Sequence, residues 1–383
     1  MKPLEGITVL SVEQAVAVPF ATRQLADLGA RVIKVERPPT GDFARDYDST
    51  VHGMSSHFVW LNRSKESMTL DLKSENAKPV FERLLAEADV FIQNLAPGAM
   101  ERLGYGTEAL RERYPELITC NLTGYGDTGP YKNKKAYDLL VQCEAGLVSV
   151  TGSEDVPSKA GISIADIAAG MYMYSGILTA LLVRSRTGEG QTVNVSMLEA
   201  LGEWMGYPTY YAAYGGEEPQ RKGASHSTIF PYGPFQCGDG KTVFVGLQNE
   251  REWLSFCENV LQKSETTDDE RFATNAKRSE NRQALTELIE RVFSKLNRDN
   301  VIERLEAAKI ANARLNSMKE FFEHPQLKAR ERWKEVHTPN GPIQALLPPA
   351  SISGVEPKMG DVPELGEHTT SILEEFGFET IKK

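Results

Sequence analysis

Cysteine is scarce in this sequence, and the little there is forms no metal-binding pattern. The four residues, Cys120, Cys143, Cys237 and Cys257, are scattered through 383 positions. They read as reduced thiols of a cytoplasmic protein rather than as a zinc site or a disulfide framework. No G-x-x-x-x-G-K-[ST] loop is present, which disfavours a P-loop nucleotide hydrolase. The first residues, MKPLEGITVLSVEQ, lack the charged-then-apolar plan of a signal peptide. Long apolar runs are lacking too. The longest, around Ile162–Val183, is interrupted by Asp166, tyrosines and glycines, which argues for a soluble chain with no membrane span. Positive charge is in deficit. A formal net charge of −10 argues against a nucleic-acid partner, whose phosphates demand clustered Lys and Arg, yet a small anionic ligand needs only a local basic pocket.

What is present follows an α/β grammar. Residues 7–12 (ITVLSV) read as a buried strand and Pro19–Leu28 as a helix, with Pro19 at its first position and Gly29 just past its end. Residues 31–36 (RVIKVE) then form a second strand, parallel to the first because a helix separates them. The alternation continues through strands at 67–72, 89–94 and 116–122, with helices at 74–88 and after Pro97. It predicts a doubly wound, mostly parallel, Rossmann-like sheet. A helix near Asp138, a helical run over 167–183, a strand at 191–197 and a helix at 198–207 follow. Past a polar linker at about 211–224 the grammar changes. A hairpin turned at Gly238–Gly240, then helices at about 249–261, 280–296 and 298–308, predict a smaller α+β domain over 225–320. A short linker at about 320–325 leads to a tail with its own hairpin. Two structural units suit a chain of this length.

Several motifs tempt without closing. GYGDTG (124–129) satisfies G-x-G-x-x-G after a strand, but Pro130 and a lysine-rich loop follow where a dinucleotide fingerprint needs a helix. The first βα turn, VEQAVAVP, has no glycine at all. A glycine-rich turn whose lysines could meet phosphates is the better reading. GASHS (223–227) falls one residue short of G-x-S-x-G and lacks the flanking strand and helix. His52 and His57 have no partner at ligand spacing and read as solvated loop histidines. Glu36-Arg37, at the carboxyl edge of the second strand, is either a contact for a ribose and its phosphate or an ordinary salt-bridged strand end.

Asp166, in GISIADIAAGM, invites chemistry most. It stands just before an apolar helical run, where Asp is favoured as an N-cap and where the helix end holds a carboxylate ionised. An ionised carboxylate is what covalent catalysis on an acyl group requires. Ala165, Ala168, Ala169 and Gly170 leave room for a ligand to approach. Cap and nucleophile are compatible readings, and the local pattern does not choose between them.

Longer stretches do choose. VPFATRQLADLGARVIKVERPPTGD, NRSKESMTLDLKS, FIQNLAPGAMERLG, TGYGDTGPY, AYDLLVQCEAGL, ADIAAGM, RTGEGQTVNVSMLEAL and PYGPFQCGDGKTVFV occur in order over about 5–250. In these the chain resembles the family III CoA-transferases, the family that contains carnitine and oxalate CoA-transferases. The resemblance implies an interlocked homodimer of α/β subunits, each with a large domain of residues 1–210 plus about 325–383. It makes Asp166 the nucleophile and places Arg37 near the CoA adenosine and its phosphate. Lys73, Arg102, Lys135 and Tyr137 would line the CoA path, with Met197 near the adenine. The backbone of Asn94, Leu95 and Ala96 would approach the pantetheine arm. Val18 stands where many members have Gly, which would narrow the pocket or alter the acyl group it accepts, and Val16 where oxalate enzymes have Gln, which disfavours oxalate as acceptor. The implied substrate loop is Lys222–Gly233, with His226, Tyr232 and Gly233. Its SHSTIFPYGPF stretch resembles the branch acting on succinyl-, mesaconyl- or malyl-type dicarboxylates.

The activity so implied is CoA transfer from an acyl-CoA to a small carboxylic acid, through an aspartyl anhydride and an aspartyl-CoA thioester. It calls for no metal and no cofactor beyond CoA. Two rivals stay open. One is an α-methylacyl-CoA racemase, disfavoured because racemase relatives carry His at the position of Tyr137. The other is a non-catalytic CoA-binding subunit of a heteromer. Candidate anchors for the far end of a dicarboxylate are Arg23, His57, Arg63, His226 and the hydroxyls of Ser225 and Ser227.

Overall fold

The computed structural model describes residues 2–379. Six parallel strands form the central sheet: β1 (Thr8–Val12), β2 (Arg31–Glu36), β3 (Lys65–Thr69), β4 (Val90–Gln93), β5 (Ile118–Thr123) and β6 (Thr192–Ser196), in the order β3-β2-β1-β4-β5-β6. Alternate strand residues are buried on both faces: Leu10, Ile33 and Phe91 with one parity, Val9, Val32 and Ile92 with the other. That double burial is why the strands read as nearly continuous apolar runs. Chain order reverses between β1 and β4, which opens a crevice beyond their carboxyl ends.

The first helix, Ala17–Asp27, begins two residues before the expected start, so Pro19 is its third residue. Proline is tolerated there because the first N–H groups of a helix have no intrahelical acceptor. A long helix, Ile164–Thr187, packs along it and against β6. By length and composition this helix could cross a bilayer, but its small residues serve packing inside the protein. Ala165, Ala168 and Ala169 are fully buried. A Cβ on Gly170 would lie 2.5 Å from the Ala17 carbonyl oxygen. The expectation that these residues leave room for a ligand is therefore corrected: they let two helices approach.

By contacts the chain forms two compact units, one holding residues up to Leu147, Ala160–Tyr207 and those from Gln326 on, the other Val148–Lys159 and Pro208–Pro325. In the first, the tail contributes an antiparallel hairpin, β10 (Trp333–Thr338) with β11 (Gly341–Leu346), after the three strands of the second unit. Val336 and Val362 pack with Phe58 and Val59, and Ile372 and Leu373 join the core around Phe81 and Phe91. Each such large side chain contributes roughly 1.5–3 kcal/mol by burial. In the second unit β7 (Tyr232–Gln236), β8 (Thr242–Gly246) and β9 (Ala311–Arg314) form an antiparallel sheet over a core of Phe235, Trp253, Phe256 and Phe293. The expected linker at 211–224 is helical at its start, because the helix Gly206–Gly215 runs through Tyr210, Tyr211, Ala212 and Ala213.

Gly170→Ala should destabilise the protein by about 1–3 kcal/mol, since strain against a backbone carbonyl outweighs a helix-propensity gain of about 1 kcal/mol. Gly202→Ala in the helix Met197–Trp204, where nothing lies within 4 Å, should instead stabilise. Thermal unfolding of both variants checks the pair.

Candidate active site

Segments leaving the carboxyl ends of three strands meet at the crevice. Gln14–Ala17 after β1, Asn94–Pro97 after β4 and Leu122–Gly124 around the end of β5 line a cleft of about 590 Å³. Phe43, Tyr47, His57, Lys134–Leu139, Ser163, Asp166 and Met197 complete its walls. Because β1 and β4 are neighbours in the sheet, their exit turns tie together. The Gln14 amide donates to Asn94 Oδ1 at 2.9 Å, and Asn94 Nδ2 donates to the Gln14 carbonyl at 2.9 Å.

Asp166 is in the first turn of the long helix but does not cap it. The N-cap residue is Ser163, whose side chain makes no capping bond. Asp138 caps from a distance of 28 residues instead: its Oδ1 accepts from the Ala165 amide at 2.8 Å and from the Asp166 amide at 3.3 Å. Asp138 Oδ2 in turn accepts from Gln142 Nε2 at 2.6 Å. The helix end is thus already occupied by a carboxylate. Burial, and secondly the charge of Asp138, push the Asp166 carboxyl up to about 7. The expectation of a carboxylate held firmly ionised is corrected. Asp166 sits at the balance between acid and base near neutral pH.

Of the residues implied by resemblance, Val16, Asn94, Leu95, Ala96, Lys135, Tyr137 and Met197 line this cleft with Asp166. Arg37 and Lys73 line a smaller recess of about 130 Å³. Gln14 and Leu95 border both spaces, so the recess adjoins the cleft. Arg102 borders neither, and its Nη1 lies 3.4 Å from the Pro97 carbonyl. Glu36 is consumed by the protein: Arg45 binds it through two nitrogens at 2.9 and 2.7 Å, and Ser67 Oγ donates at 2.7 Å. Burial would raise its pKa, but Arg45 and Lys34 outweigh that and hold it at about 2. The salt-bridged strand end is the correct reading of Glu36. In the second unit the His226 ring stacks on Tyr232 with centroids 5.2 Å apart, and Gly233 backs closely onto Ser225.

Arg23 and Arg63 are withdrawn as substrate anchors. Both are buried, and each places a guanidinium nitrogen 2.7 Å from Asp27 Oδ2. His57 moves the other way, from loop histidine to cleft residue. Its ring meets Tyr47 edge-on at 5.3 Å, and its Nδ1, shielded and without a hydrogen bond, lies 3.7 Å from Asp48 Oδ2. Tyr47 was not expected here. Burial, then the charges of Asp42 and Asp166, push its phenol up to about 12. No short-range pattern signals Tyr47 or the capping role of Asp138, because each meets Asp166 across loops.

The folded pKa of Asp166 lies above its unfolded value of 3.8, so folding favours the protonated acid. Its contribution to stability is present below about pH 4 and is lost as pH rises to about 7. Asp166→Asn should therefore unfold at a higher temperature than the parent above pH 7, with the gap closing towards pH 4. Asp138→Asn, which keeps an oxygen for the cap and removes the charge, should shift the Asp166 titration downward when followed by carbon NMR of the carboxyl.

Known proteins resemble this chain along nearly its whole length. The family model for CoA-transferase family III matches residues 4–369. The succinyl-CoA:glutarate CoA-transferase of Homo sapiens is 33% identical over 98% of this chain and 86% of that protein. The succinyl-CoA:mesaconate CoA-transferase of Haloarcula marismortui is 32% identical over 99% of this chain and 98% of its own. A crystal structure of a CAIB/BAIF family protein from Brucella suis superimposes with a TM-score of 0.87 and 34% identity, covering 98% of this chain and 99% of that one. The chain belongs to CoA-transferase family III and is a CoA-transferase.

Proposed function

We propose that this enzyme moves CoA between a succinyl-type acyl-CoA and a second small dicarboxylic acid, with Asp166 as the nucleophile. The observation that carries the reading is the adjacency, at Gln14 and Leu95, of the recess of Arg37 and Lys73 to a cleft that holds a half-buried carboxylate poised near neutrality. The two cations suit the CoA phosphates, and Leu95 suits the pantetheine arm. Substrates of the relatives, succinyl-CoA with glutarate or mesaconate, support the dicarboxylate class.

In the proposed sequence the ionised Asp166 attacks the thioester carbonyl, and CoA leaves as thiolate. The product is a mixed anhydride between Asp166 and the donor acid. The thiolate attacks the aspartyl carbonyl of that anhydride, releasing the donor carboxylate and forming an aspartyl-CoA thioester. The acceptor carboxylate attacks this thioester, regenerating the thiolate and a second anhydride. Attack of the thiolate on the acceptor's acyl carbonyl yields the new acyl-CoA and frees Asp166. A raised pKa makes the carboxylate the stronger nucleophile once ionised. Asp138 occupies the N–H groups of Ala165 and Asp166, so those do not serve the developing oxyanion. The first turn of the helix Ala17–Asp27, uncapped by any side chain and bordering the cleft at Val16 and Ala17, supplies backbone donors for it.

His57 anchors the distal carboxylate of the acyl group in this reading. Of the basic residues on the cleft it is the one beside Tyr47, whereas Lys134 pairs with Glu144 and Lys135 is assigned to CoA. The enzyme acts as a homodimer: among the described residues no strand pairs with the outer edge of β6, and Tyr172, Val183 and Trp204 are exposed.

Incubation with succinyl-CoA should leave a CoA adduct on Asp166 detectable by mass spectrometry, and addition of glutarate should release glutaryl-CoA. Asp166→Ala should abolish both; an active alanine variant sinks the reading. Deuterium uptake at the α-carbon without acyl exchange would instead mark a racemase. His57→Gln should raise KM for glutarate about tenfold, the scale of one hydrogen bond to a charged group, and leave a monocarboxylate unaffected.

A further inference from the structure

Behind the cleft wall lies an ion cluster that the proposed chemistry never touches. Lys34, fully buried on β2, places Nζ 2.7 Å from Asp42 Oδ2 and 3.3 Å from Glu13 Oε1. Glu13 Oε1 also accepts from Lys65 Nζ at 2.7 Å, and Glu13 Oε2 accepts from Thr22 Oγ1 at 2.6 Å. The Asp42 amide donates to Glu36 Oε2 at 2.9 Å, so the Glu36–Arg45 pair joins the same network. Three carboxylates thus face three cations. Well-packed apolar residues commonly serve stability as well as or better than buried ions do. Stability alone therefore does not account for the cluster.

What the cluster holds does account for it. Asp42 Oδ1, the oxygen not engaged by Lys34, accepts from the Ala15 amide at 3.0 Å and from the Ala44 amide at 2.9 Å. Ala15 has φ of 63°, a left-handed backbone that a residue with a Cβ resists. Ala15 lies between Gln14, clamped by Asn94, and Val16, and all three border the Asp166 cleft. The turn is therefore held in an unfavourable conformation by two side-chain tethers, one of which depends on a buried lysine for its own orientation. Active sites are where such strain is stored.

We propose that Asp42, oriented by Lys34, is a positioning residue that keeps Ala15 left-handed and so sets the Gln14–Ala17 wall of the catalytic cleft. This rests on the reading of Asp166 as the nucleophile. The network fixes the backbone through one acceptor oxygen, while its charges only make that oxygen immovable.

Two double variants separate the tether from the charges. Lys34→Met with Asp42→Asn removes both charges and keeps an acceptor for Ala15. Lys34→Met with Asp42→Ala removes the charges and the acceptor. The asparagine pair should keep most of the turnover. The alanine pair should lose about 10²-fold in kcat, the cost of a misplacement of about 1 Å, with acyl-CoA affinity nearly unchanged. Amide exchange at Ala15 should accelerate in the alanine pair alone. Equal kcat in the two, or equal protection of Ala15, overturns the proposal. Should either pair fail to fold, Ala15→Val carries the test. It leaves every charge in place but resists the left-handed backbone, so it should show the same loss of kcat, and parental kcat would overturn the assignment. The parent's own CoA adduct is the control. Its absence would refute Asp166 as nucleophile, while the exchange comparison would still decide the tether.

Discussion

At Gly170 the long helix comes so close to the Ala17 carbonyl that no side chain fits between them. Asp166 precedes Gly170 by one helical turn, and Ala17 opens the helix that follows the β1 turn. A single backbone approach therefore sets the Asp166 carboxylate against Val16 and Ala17, which share its cleft. Close packing in a protein interior transmits such a distance with little give. The row Ala165, Ala168, Ala169 extends the approach, and the site's geometry follows from the smallness of these residues.

Electrostatics then divides the labour among carboxylates. Asp138 takes the helix-end amides and stays close to Asp166, so its negative charge adds to burial in disfavouring the ionisation of Asp166. In the proposed mechanism this leaves Asp166 basic enough to attack, yet able to leave when the thiolate attacks the acceptor's acyl carbonyl. Glu13, Glu36 and Asp42 are instead matched to Lys34, Lys65 and Arg45. Against the burial that would raise it, Lys65 and Lys34 hold Glu13 below its ordinary value. Neutralised carboxylates build the wall, and the carboxylates Asp138 and Asp166 face the cleft.

The central sheet was legible from sequence because its strands are buried on both faces and its helices carry their apolar residues at helical spacing; β2 falls on the residues expected of it. Glu36 was visible as a strand-end charge, but its choice between ribose and arginine was not. Arg45 lies nine residues on, beyond any local rule. Asp166 was found by its isolation among small residues, yet its role as cap was misassigned. The true cap, Asp138, arrives from another helix. His57, a solvated histidine or a carboxylate anchor by sequence, reaches the cleft from the first turn of the helix Ser56–Asn62, a placement that no periodicity encodes.

By itself, then, the sequence determined the alternation of strands and helices and the family, and it singled out Asp166 as the candidate nucleophile, because each rests on local spacing or on the order of short motifs. Only the tertiary structure decided the protonation balance of Asp166, the sequestering of Arg23, Arg63 and Glu36, and the left-handed turn at Ala15. Those depend on burial and on partners distant in the chain, and a Coulomb interaction is set by separation in space and by the surrounding dielectric, neither of which a linear order records.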